Sequence, residues 1–249
     1  MTRTKTLFAA AFTTILAAGP ALADDVGYQV DGKDFTGYFA AADEPKGLVL
    51  IVHDWDGLDD YERGRADMLA EMGYDAFALD MYGAGTPTAT VDDRKAATGA
   101  LYKDRERMRK LIAAGLEQAR GQSSAEGLVV MGYCFGGAVT LEMARSDMTG
   151  EAVGYATFHG GLSTPDGQSW PSEAPPVLVM HGGADTSVPM SAVAKLSEEL
   201  EAAKVTYTIE VYSGAPHAFT VKGSERYQER ADEESWQAFS DFLDERLGD

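Results

Sequence analysis

One short segment of the chain places a cysteine between glycines at a spacing that suits a reactive side chain. Residues 132–137 read Gly-Tyr-Cys-Phe-Gly-Gly, and Cys134 is the only cysteine among the 249 residues. The apolar run 128–131 precedes this segment and apolar residues at helical spacing follow it, so the pattern predicts a tight turn between a buried strand and a helix. Gly132 and Gly136 allow strand and helix to pass closely around a strained residue. This context predicts that the Cys134 thiol is a nucleophile.

Two residues further along the chain could complete a catalytic triad with Cys134. Asp185 follows the apolar segment 177–180, and His217 follows the alternating segment 207–212. A free thiol has a pKa of about 8.5 and needs a base to become nucleophilic at neutral pH. His217 would take the thiol proton and later give it to the leaving group, while Asp185 would hold the imidazole in one tautomer and stabilise its cation. This chemistry is acyl transfer through a thioester, followed by attack of water.

Acyl transfer also requires hydrogen-bond donors for the oxyanion that forms during attack. The backbone N–H of Phe135 would begin the helix after Cys134, where the helix dipole favours negative charge. A second backbone N–H should come from the loop after the strand at 47–52, and Trp55 is the residue that this position favours. Tyr82, His159 and Phe219 are candidates for the wall of a substrate pocket, with packing in the core as the alternative.

Each member of the triad also has a simpler interpretation. A lone buried cysteine is usually only a small apolar side chain, and His217 could cap a loop or fill the core. Asp185 opens the segment Asp-Thr-Ser-Val-Pro, which is also suitable for the start of a helix. His159 and His181 are expected to support loops, because a triad needs one base.

The elements that must position these residues alternate between strands and helices. An antiparallel hairpin is predicted near the N-terminus, followed by helices between strands at 47–52, 76–79, 128–131, 152–158, 177–180 and 207–212. The longest predicted helical region covers residues 92–120. Such alternation favours a mostly parallel sheet covered by helices on both faces. Together with the chain order nucleophile, acid, base, it predicts an α/β-hydrolase fold, formed as a single domain by residues 24–249.

The first 23 residues are typical of a secretory signal peptide. Arg3 and Lys5 precede an apolar stretch over 7–18, and Ala21-Leu-Ala23 resembles a cleavage site. The alternative is an uncleaved amphipathic N-terminus. No other stretch is long and apolar enough to suggest a membrane anchor. We therefore expect an exported protein, located in the periplasm.

Composition narrows the range of partners. The formal charge of the whole chain is −19, and it becomes about −21 once the two basic residues of the leader are removed. Such a surface repels nucleic acid and anionic lipid. The four histidines show no metal-binding spacing, and no glycine-rich phosphate loop is present, so neither a metal nor a cofactor is expected. The expected partner is a small molecule, and the expected assembly is a monomer or a small homo-oligomer.

The combined motifs resemble those of the dienelactone hydrolase (carboxymethylenebutenolidase) family. The resemblance covers nearly the whole chain after the leader, and its matching segments are 52–58, 79–83, 132–137, 181–185 and 217–219. It implies a hydrolase of esters or enol-lactones that needs no cofactor, with Cys134, Asp185 and His217 on the family's triad. Asp54 falls where the family usually has a glutamate that contacts the resting thiol and modulates it.

One departure from the family concerns the charge of the substrate. The family holds its substrate's carboxylate with two arginines, whereas the corresponding segments here, 83–85 and 218–221, contain none. A carboxylate on the substrate would then lack a cationic partner, so the missing arginines predict a neutral ester, lactone or thioester as substrate. Two other functions remain as alternatives: a non-catalytic exported binding protein of the same fold, and a thiol redox protein that uses Cys134 without a resolving cysteine.

Overall fold

The N-terminal part of the sheet is an antiparallel hairpin. In the computed structural model, which describes residues 23–248, β1 (Ala23–Val30) pairs along its length with β2 (Lys33–Ala40). Asp31 and Gly32 form the turn with φ angles of 52° and 76°, the left-handed conformation that two-residue hairpins favour. The predicted signal peptide lies outside the described residues, apart from Ala23 at the start of β1.

The eight strands within residues 23–248 form one sheet, in the order β1-β2-β4-β3-β5-β6-β7-β8. β2 joins β4 in antiparallel fashion, and the six strands from β3 to β8 are parallel to one another. These parallel strands are β3 (Leu48–Val52), β4 (Asp75–Leu79), β5 (Leu128–Tyr133), β6 (Gly154–Phe158), β7 (Val177–Gly182) and β8 (Tyr207–Tyr212). The predicted mostly parallel sheet with an N-terminal hairpin is confirmed.

Helices cover both faces of this sheet. They are α1 (Asp60–Glu71), α2 (Val91–Lys103), α3 (Arg105–Gln122), α4 (Phe135–Arg145), α5 (Met190–Ala203) and α6 (Glu229–Leu247), with a short 3-10 helix at Thr149–Glu151. Alternate residues of the strands point to opposite faces. Leu50 and Val130 therefore pack in the core with α3, α4 and α5, whereas Ile51 and Met131 pack with α1 and α6.

The helical region predicted over 92–120 is two helices. Asp104 ends α2 and also begins α3, where its side chain accepts a hydrogen bond from the backbone N–H of Arg107 at 2.9 Å. The chain turns at this residue because an aspartate that caps a helix start has a non-helical backbone, here with φ −122° and ψ 79°. The prediction of one continuous helical region was wrong at this point.

The parallel strands carry the candidate residues to one edge of the sheet. The segments that follow the carboxyl ends of β3, β5, β6, β7 and β8 contain Asp54, Cys134, His159, Asp185 and His217 respectively. This edge is where ligands bind in doubly wound sheets. Within residues 23–248, none of the helices is long and apolar enough to cross a membrane.

Candidate active site

Cys134 occupies a sharp turn between β5 and α4. Its backbone has φ 49° and ψ −108°, a strained conformation for a residue with a side chain. The turn brings strand and helix so close that a Cβ atom on Gly132 would lie 2.2 Å from the carbonyl oxygen of Gly136. A Cβ on Gly136 would lie 2.1 Å from the carbonyl oxygen of Val52. Only glycine fits at both positions, and the turn presents the thiol beyond the end of the sheet.

A continuous chain of hydrogen bonds connects Cys134, His217 and Asp185. The distance from Cys134 Sγ to His217 Nε2 is 3.0 Å, and that from His217 Nδ1 to Asp185 Oδ2 is 2.8 Å. An ionised carboxylate can only accept hydrogen bonds, so we assign the imidazole proton to Nδ1. Nε2 is then free to accept the proton of the thiol. This is the tautomer that a general base requires.

Asp185 is held in its charged form although it is 7% exposed. Burial by itself would raise its pKa, but the hydrogen bond from His217 and those from the backbone of Val188 and Ser187 outweigh this effect and lower the pKa. The two backbone N–H groups donate to Oδ1 at 2.8 and 2.9 Å. Oδ2 is thereby left to orient His217.

The thiol itself is protonated at rest. The pKa of Cys134 is raised to about 12, mainly by burial and then by the nearby Asp54, and the hydrogen bond with the Phe135 backbone opposes the increase. A thiolate–imidazolium ion pair is therefore not the resting state of this site. To act as a nucleophile, this thiol would have to transfer its proton to His217 during attack.

Asp54 lies on the wall of the same cavity as Cys134 and is as deeply buried as Asp185. Burial, together with the nearby Asp56 and Glu62, raises the pKa of Asp54 to about 9. Its Oδ1 atom accepts one hydrogen bond, from the backbone N–H of Asp56 at 3.0 Å. At neutral pH the Asp54 carboxyl is accordingly uncharged.

The backbone that leads to Trp55 is fixed by two buried side chains. Glu62 accepts hydrogen bonds from the backbone N–H groups of Asp54 (3.2 Å) and Asp59 (3.3 Å). His53 Nδ1 lies 2.6 Å from the carbonyl oxygen of Asp54, and its Nε2 accepts from the Met81 N–H at 3.1 Å. These contacts define the path of the loop after β3.

Two cavities meet at Cys134 and His217. The larger has a volume of about 640 Å³, and Trp55 and Ser187 also line it. The smaller, of about 210 Å³, shares these four residues. Aromatic and small side chains complete the wall of the smaller cavity, namely Thr98, Tyr102, Phe135, Gly161 and Val188. A substrate whose scissile carbonyl lies at the thiol would place one group in each cavity. In residues 23–248, no three His, Cys, Asp or Glu side chains are grouped as a metal ion would require.

Comparison with known proteins places the chain in a family. The model of the dienelactone hydrolase family matches residues 35–247. The chain belongs to the dienelactone hydrolase family. This confirms the family that the motifs predicted, and with it the expectation of an enzyme that hydrolyses esters or lactones.

Individual relatives agree with this membership. A Salmonella typhimurium (strain LT2) protein, provisionally named a carboxymethylenebutenolidase, is 28% identical over 85% of this chain and 83% of its own length. The carboxymethylenebutenolidase of Pseudomonas putida is 26% identical over 79% of this chain and 85% of its own. The crystal structure of a dienelactone hydrolase-like promiscuous phosphotriesterase from metagenomic libraries has a TM-score of 0.82 and 27% identity, and it covers 92% of this chain and 99% of that one.

The three residues expected to line a substrate pocket lie outside the walls of both cavities. His159 and Phe219 have no exposed surface. The ring of Tyr82 stacks on Phe135, and its hydroxyl donates to the carbonyl oxygen of Trp55 at 3.0 Å. None of the three belongs to the wall of either cavity at Cys134. The expectation is corrected: packing in the core was the right alternative.

Three cationic residues that the sequence argument missed line the larger cavity. Arg94 and Lys95 come from the start of α2, and Arg226 comes from the loop before α6. Arg94 pairs with Asp56 at 3.2 Å and lies over the ring of Trp55. These positions differ from those of the family's arginines, so a comparison of equivalent positions could not find them. Segments 83–85 and 218–221 contain no arginine, but other segments supply cations to the cavity, and the inference from those two segments alone is corrected.

Proposed function

We propose that this member of the dienelactone hydrolase family is a cysteine hydrolase that cleaves esters or lactones through a thioester acyl-enzyme. The observation that carries the proposal is the unbroken hydrogen-bond chain from Cys134 through His217 to Asp185, at the junction of two cavities. We also propose that the protein is exported, on the basis of its N-terminal sequence.

The first step is attack of the thiol on the substrate's carbonyl carbon. The proton of Cys134 moves to Nε2 of His217 as the S–C bond forms, because the thiol is neutral at rest. Asp185 stabilises the resulting imidazolium through Nδ1–H. Negative charge moves to the carbonyl oxygen, where the backbone N–H groups of Phe135 and Trp55 are the proposed donors.

The second step is collapse of the tetrahedral intermediate. The carbonyl re-forms, the C–O bond to the leaving group breaks, and the imidazolium of His217 gives its proton to the departing oxygen. The acyl group remains on Sγ as a thioester. In a lactone the leaving oxygen stays attached to the acyl chain, and both are released together at the end.

The third step returns the enzyme to its starting state. His217, again neutral, takes a proton from a water molecule, whose oxygen attacks the thioester carbon. The S–C bond breaks, the carboxylic acid is released, and the thiol recovers its proton. Each cycle consumes one water molecule and cleaves one ester or lactone bond.

The charged groups on the wall of the larger cavity are compatible with either a neutral or an anionic ester as substrate. The larger cavity has carboxyl groups at Asp54 and Asp56 and cations at Arg94, Lys95 and Arg226. Matched pairs of esters that differ only by a distal carboxylate would measure the preference. A preference for the anionic member that disappears in Arg226→Ala would assign the charge recognition to this wall.

The test of the mechanism compares the purified protein with Cys134→Ala and His217→Ala on a short-chain p-nitrophenyl ester. We expect a loss of at least about 10³-fold in kcat for each variant. Intact-mass spectrometry during turnover should detect an acyl adduct on the unmodified protein and none on Cys134→Ala. Equal turnover by all three proteins would contradict the proposal and favour a binding protein. Peroxide consumption that survives His217→Ala would favour a redox thiol instead.

Export is tested separately. Expression of the full chain should yield a periplasmic protein whose mass corresponds to a start at Asp24. A protein retained in the cytoplasm at full length would contradict this part of the proposal alone.

A further inference from the structure

His159 occupies a position directly behind the proposed catalytic base. It follows β6 in a left-handed backbone conformation with φ 41°, and its N–H donates to the carbonyl oxygen of Met180 at 2.8 Å. The ring centroids of His159 and His217 are 5.3 Å apart, with an interplanar angle of 65°. The ring centroids of Phe219 and His159 are also 5.3 Å apart. An imidazole with no exposed surface thus forms the wall against which His217 packs.

A buried hydrogen-bond network joins His159 to the loop that carries His217. His159 Nε2 lies 2.9 Å from Oγ1 of Thr220, which is three residues after His217. Tyr61 of α1 donates its hydroxyl proton to the same Oγ1 at 2.6 Å. Arg65 of α1 donates to the backbone carbonyl of Thr220 at 3.3 Å and is itself paired with Asp232. The loop is therefore tied to both α1 and the end of β6.

The loop needs this support because its backbone is strained. Ala218, next to His217, has a φ of 62°, which costs free energy for a residue other than glycine. Such a conformation persists only when surrounding contacts enforce it. Thr220 has no exposed surface and supplies the enforcing contacts within three residues of the base.

His159 is neutral in this environment. Burial lowers its pKa well below the usual value, the nearby His217 lowers it further, and Asp185 opposes the effect. The other groups that face it are His181 at the end of β7 and Tyr133 at the end of β5. Within residues 23–248, its Nδ1 atom has no hydrogen-bond partner that could stabilise a second proton. His217 can accordingly become cationic during turnover without a competing cation beside it.

We propose that His159 is a positioning residue for His217, and that its hydrogen bond with Thr220 holds Nε2 of His217 within reach of the thiol while Nδ1 stays on Asp185. This inference rests on the base role proposed above for His217. His159 touches neither cavity, so it acts through His217 alone. Phenylalanine would fill the same space, but it would remove one of the two hydrogen bonds of the Thr220 hydroxyl and leave only that from Tyr61.

The test uses His159→Phe, Thr220→Val and Thr220→Ser. His159→Phe and Thr220→Val remove the hydrogen bond at nearly constant shape, and we expect each to lower kcat by about 10–100-fold with KM changed less than about threefold, because small misplacements of a catalytic group cost up to about 10². Thr220→Ser retains the hydroxyl and should restore kcat to within about threefold of the unmodified enzyme.

A second readout excludes a purely structural effect. The rate of alkylation of Cys134 by iodoacetamide needs His217 as a base but no substrate pocket. It should fall in His159→Phe and Thr220→Val by a factor similar to that in kcat, and the acidic limb of its pH profile should move. Tyr155→Phe is the matched control, because it also removes a buried hydroxyl hydrogen bond. Tyr155 lies on β6, the strand that precedes His159, and donates to the carbonyl oxygen of Thr149 at 2.9 Å. We expect it to change the melting temperature without changing alkylation.

Two outcomes would overturn the inference. The first is that folded His159→Phe retains kcat and an alkylation rate within about twofold of the unmodified enzyme. If that variant does not fold, the same result in Thr220→Val would count against the inference. The other is failure of Thr220→Ser to restore what Thr220→Val loses. If Cys134→Ala or His217→Ala remained active, the proposed function itself would fail, which is a different result.

Discussion

Two aspartates near the thiol have the same burial but differ in charge state. Asp54 and Asp185 are each 7% exposed, and each follows a parallel strand at the same edge of the sheet. Asp185 has its pKa lowered, whereas the pKa of Asp54 is raised to about 9. Burial acts in the same direction on both, so it cannot explain the difference.

The difference lies in the partners of each carboxyl group. Asp185 receives hydrogen bonds from His217 and from two backbone N–H groups. Asp54 receives one, from Asp56, and the carboxyl groups of Asp56 and Glu62 lie nearby. A buried carboxylate remains charged when enough donors replace the water that it has lost. The two carboxyls are therefore suited to different roles: in the proposed mechanism Asp185 supplies charge to the base His217, whereas Asp54 supplies an uncharged polar surface in the cavity.

The largest expected effect comes from removing the charge of Asp185. Asp185→Asn should lower kcat by roughly 10³–10⁴-fold, because an amide at this position no longer selects the tautomer in which Nε2 is free. Stability should change as well. The lowered pKa contributes stability above the unfolded-state value of about 3.9, and this contribution is lost as the pH falls through the folded value. The melting temperature of the variant should thus approach that of the unmodified protein in acid. A loss of less than tenfold in kcat would remove Asp185 from the mechanism.

The opposite result is expected at Asp54. Asp54→Asn mimics the protonated carboxyl, so kcat at pH 7 should change by less than about tenfold, whereas loss of a general base would cost about 10²–10⁴-fold. Because the folded-state pKa of about 9 lies above the unfolded value, folding takes up a proton and the stability of the unmodified protein falls as the pH rises between these values.

Thermal unfolding from pH 5 to pH 9 measures this contribution of Asp54. The melting temperature of Asp54→Asn relative to the unmodified protein should rise over that range by at least about 2–4 °C, the shift that 1 kcal/mol causes in a chain of this size. A constant difference would mean that Asp54 is already charged at pH 5, and the contrast with Asp185 would disappear.

The smallest effect is expected one step further from the thiol, at Glu62. This residue is 1% exposed, and burial and Asp59 raise its pKa to about 8. At pH 9, above this pKa, the ionised Glu62 accepts through both oxygens. Glu62→Gln replaces one of these acceptors by a donor that faces a backbone N–H, so the free energy of unfolding at that pH should fall by about 1–3 kcal/mol. Urea denaturation measures this loss. Asp93→Asn is the matched control. The Asp93 side chain accepts a hydrogen bond from the backbone N–H of the exposed Thr90 at the start of α2, so the same acid-to-amide change should cost less there. Equal losses would show that burial is unimportant here.

The grouping of Cys134, His217 and Asp185 was predictable from sequence because the ends of the strands were. Cys134, Asp185 and His217 each follow an apolar or alternating segment within five residues, and parallel strands bring such positions together. The pocket was not predictable for two reasons. His159 and Ala218 have positive φ angles, which aim their neighbours in directions that no residue pattern indicates. Arg94 and Arg226 reach the cavity from segments with no link in sequence to the motifs. The break at Asp104 was missed because no glycine or proline marks it.

The raised pKa of Cys134 has a consequence for the durability of the protein. Peroxide and disulfides react with thiolates far faster than with thiols. A buried thiol whose pKa is raised to about 12 is therefore expected to react slowly with peroxide when no substrate is bound. In the proposed mechanism it reacts when an electrophilic carbon is in place to receive the sulfur as His217 takes the proton. The site is thus protected from damage by the same desolvation that makes the attacking atom depend on its base.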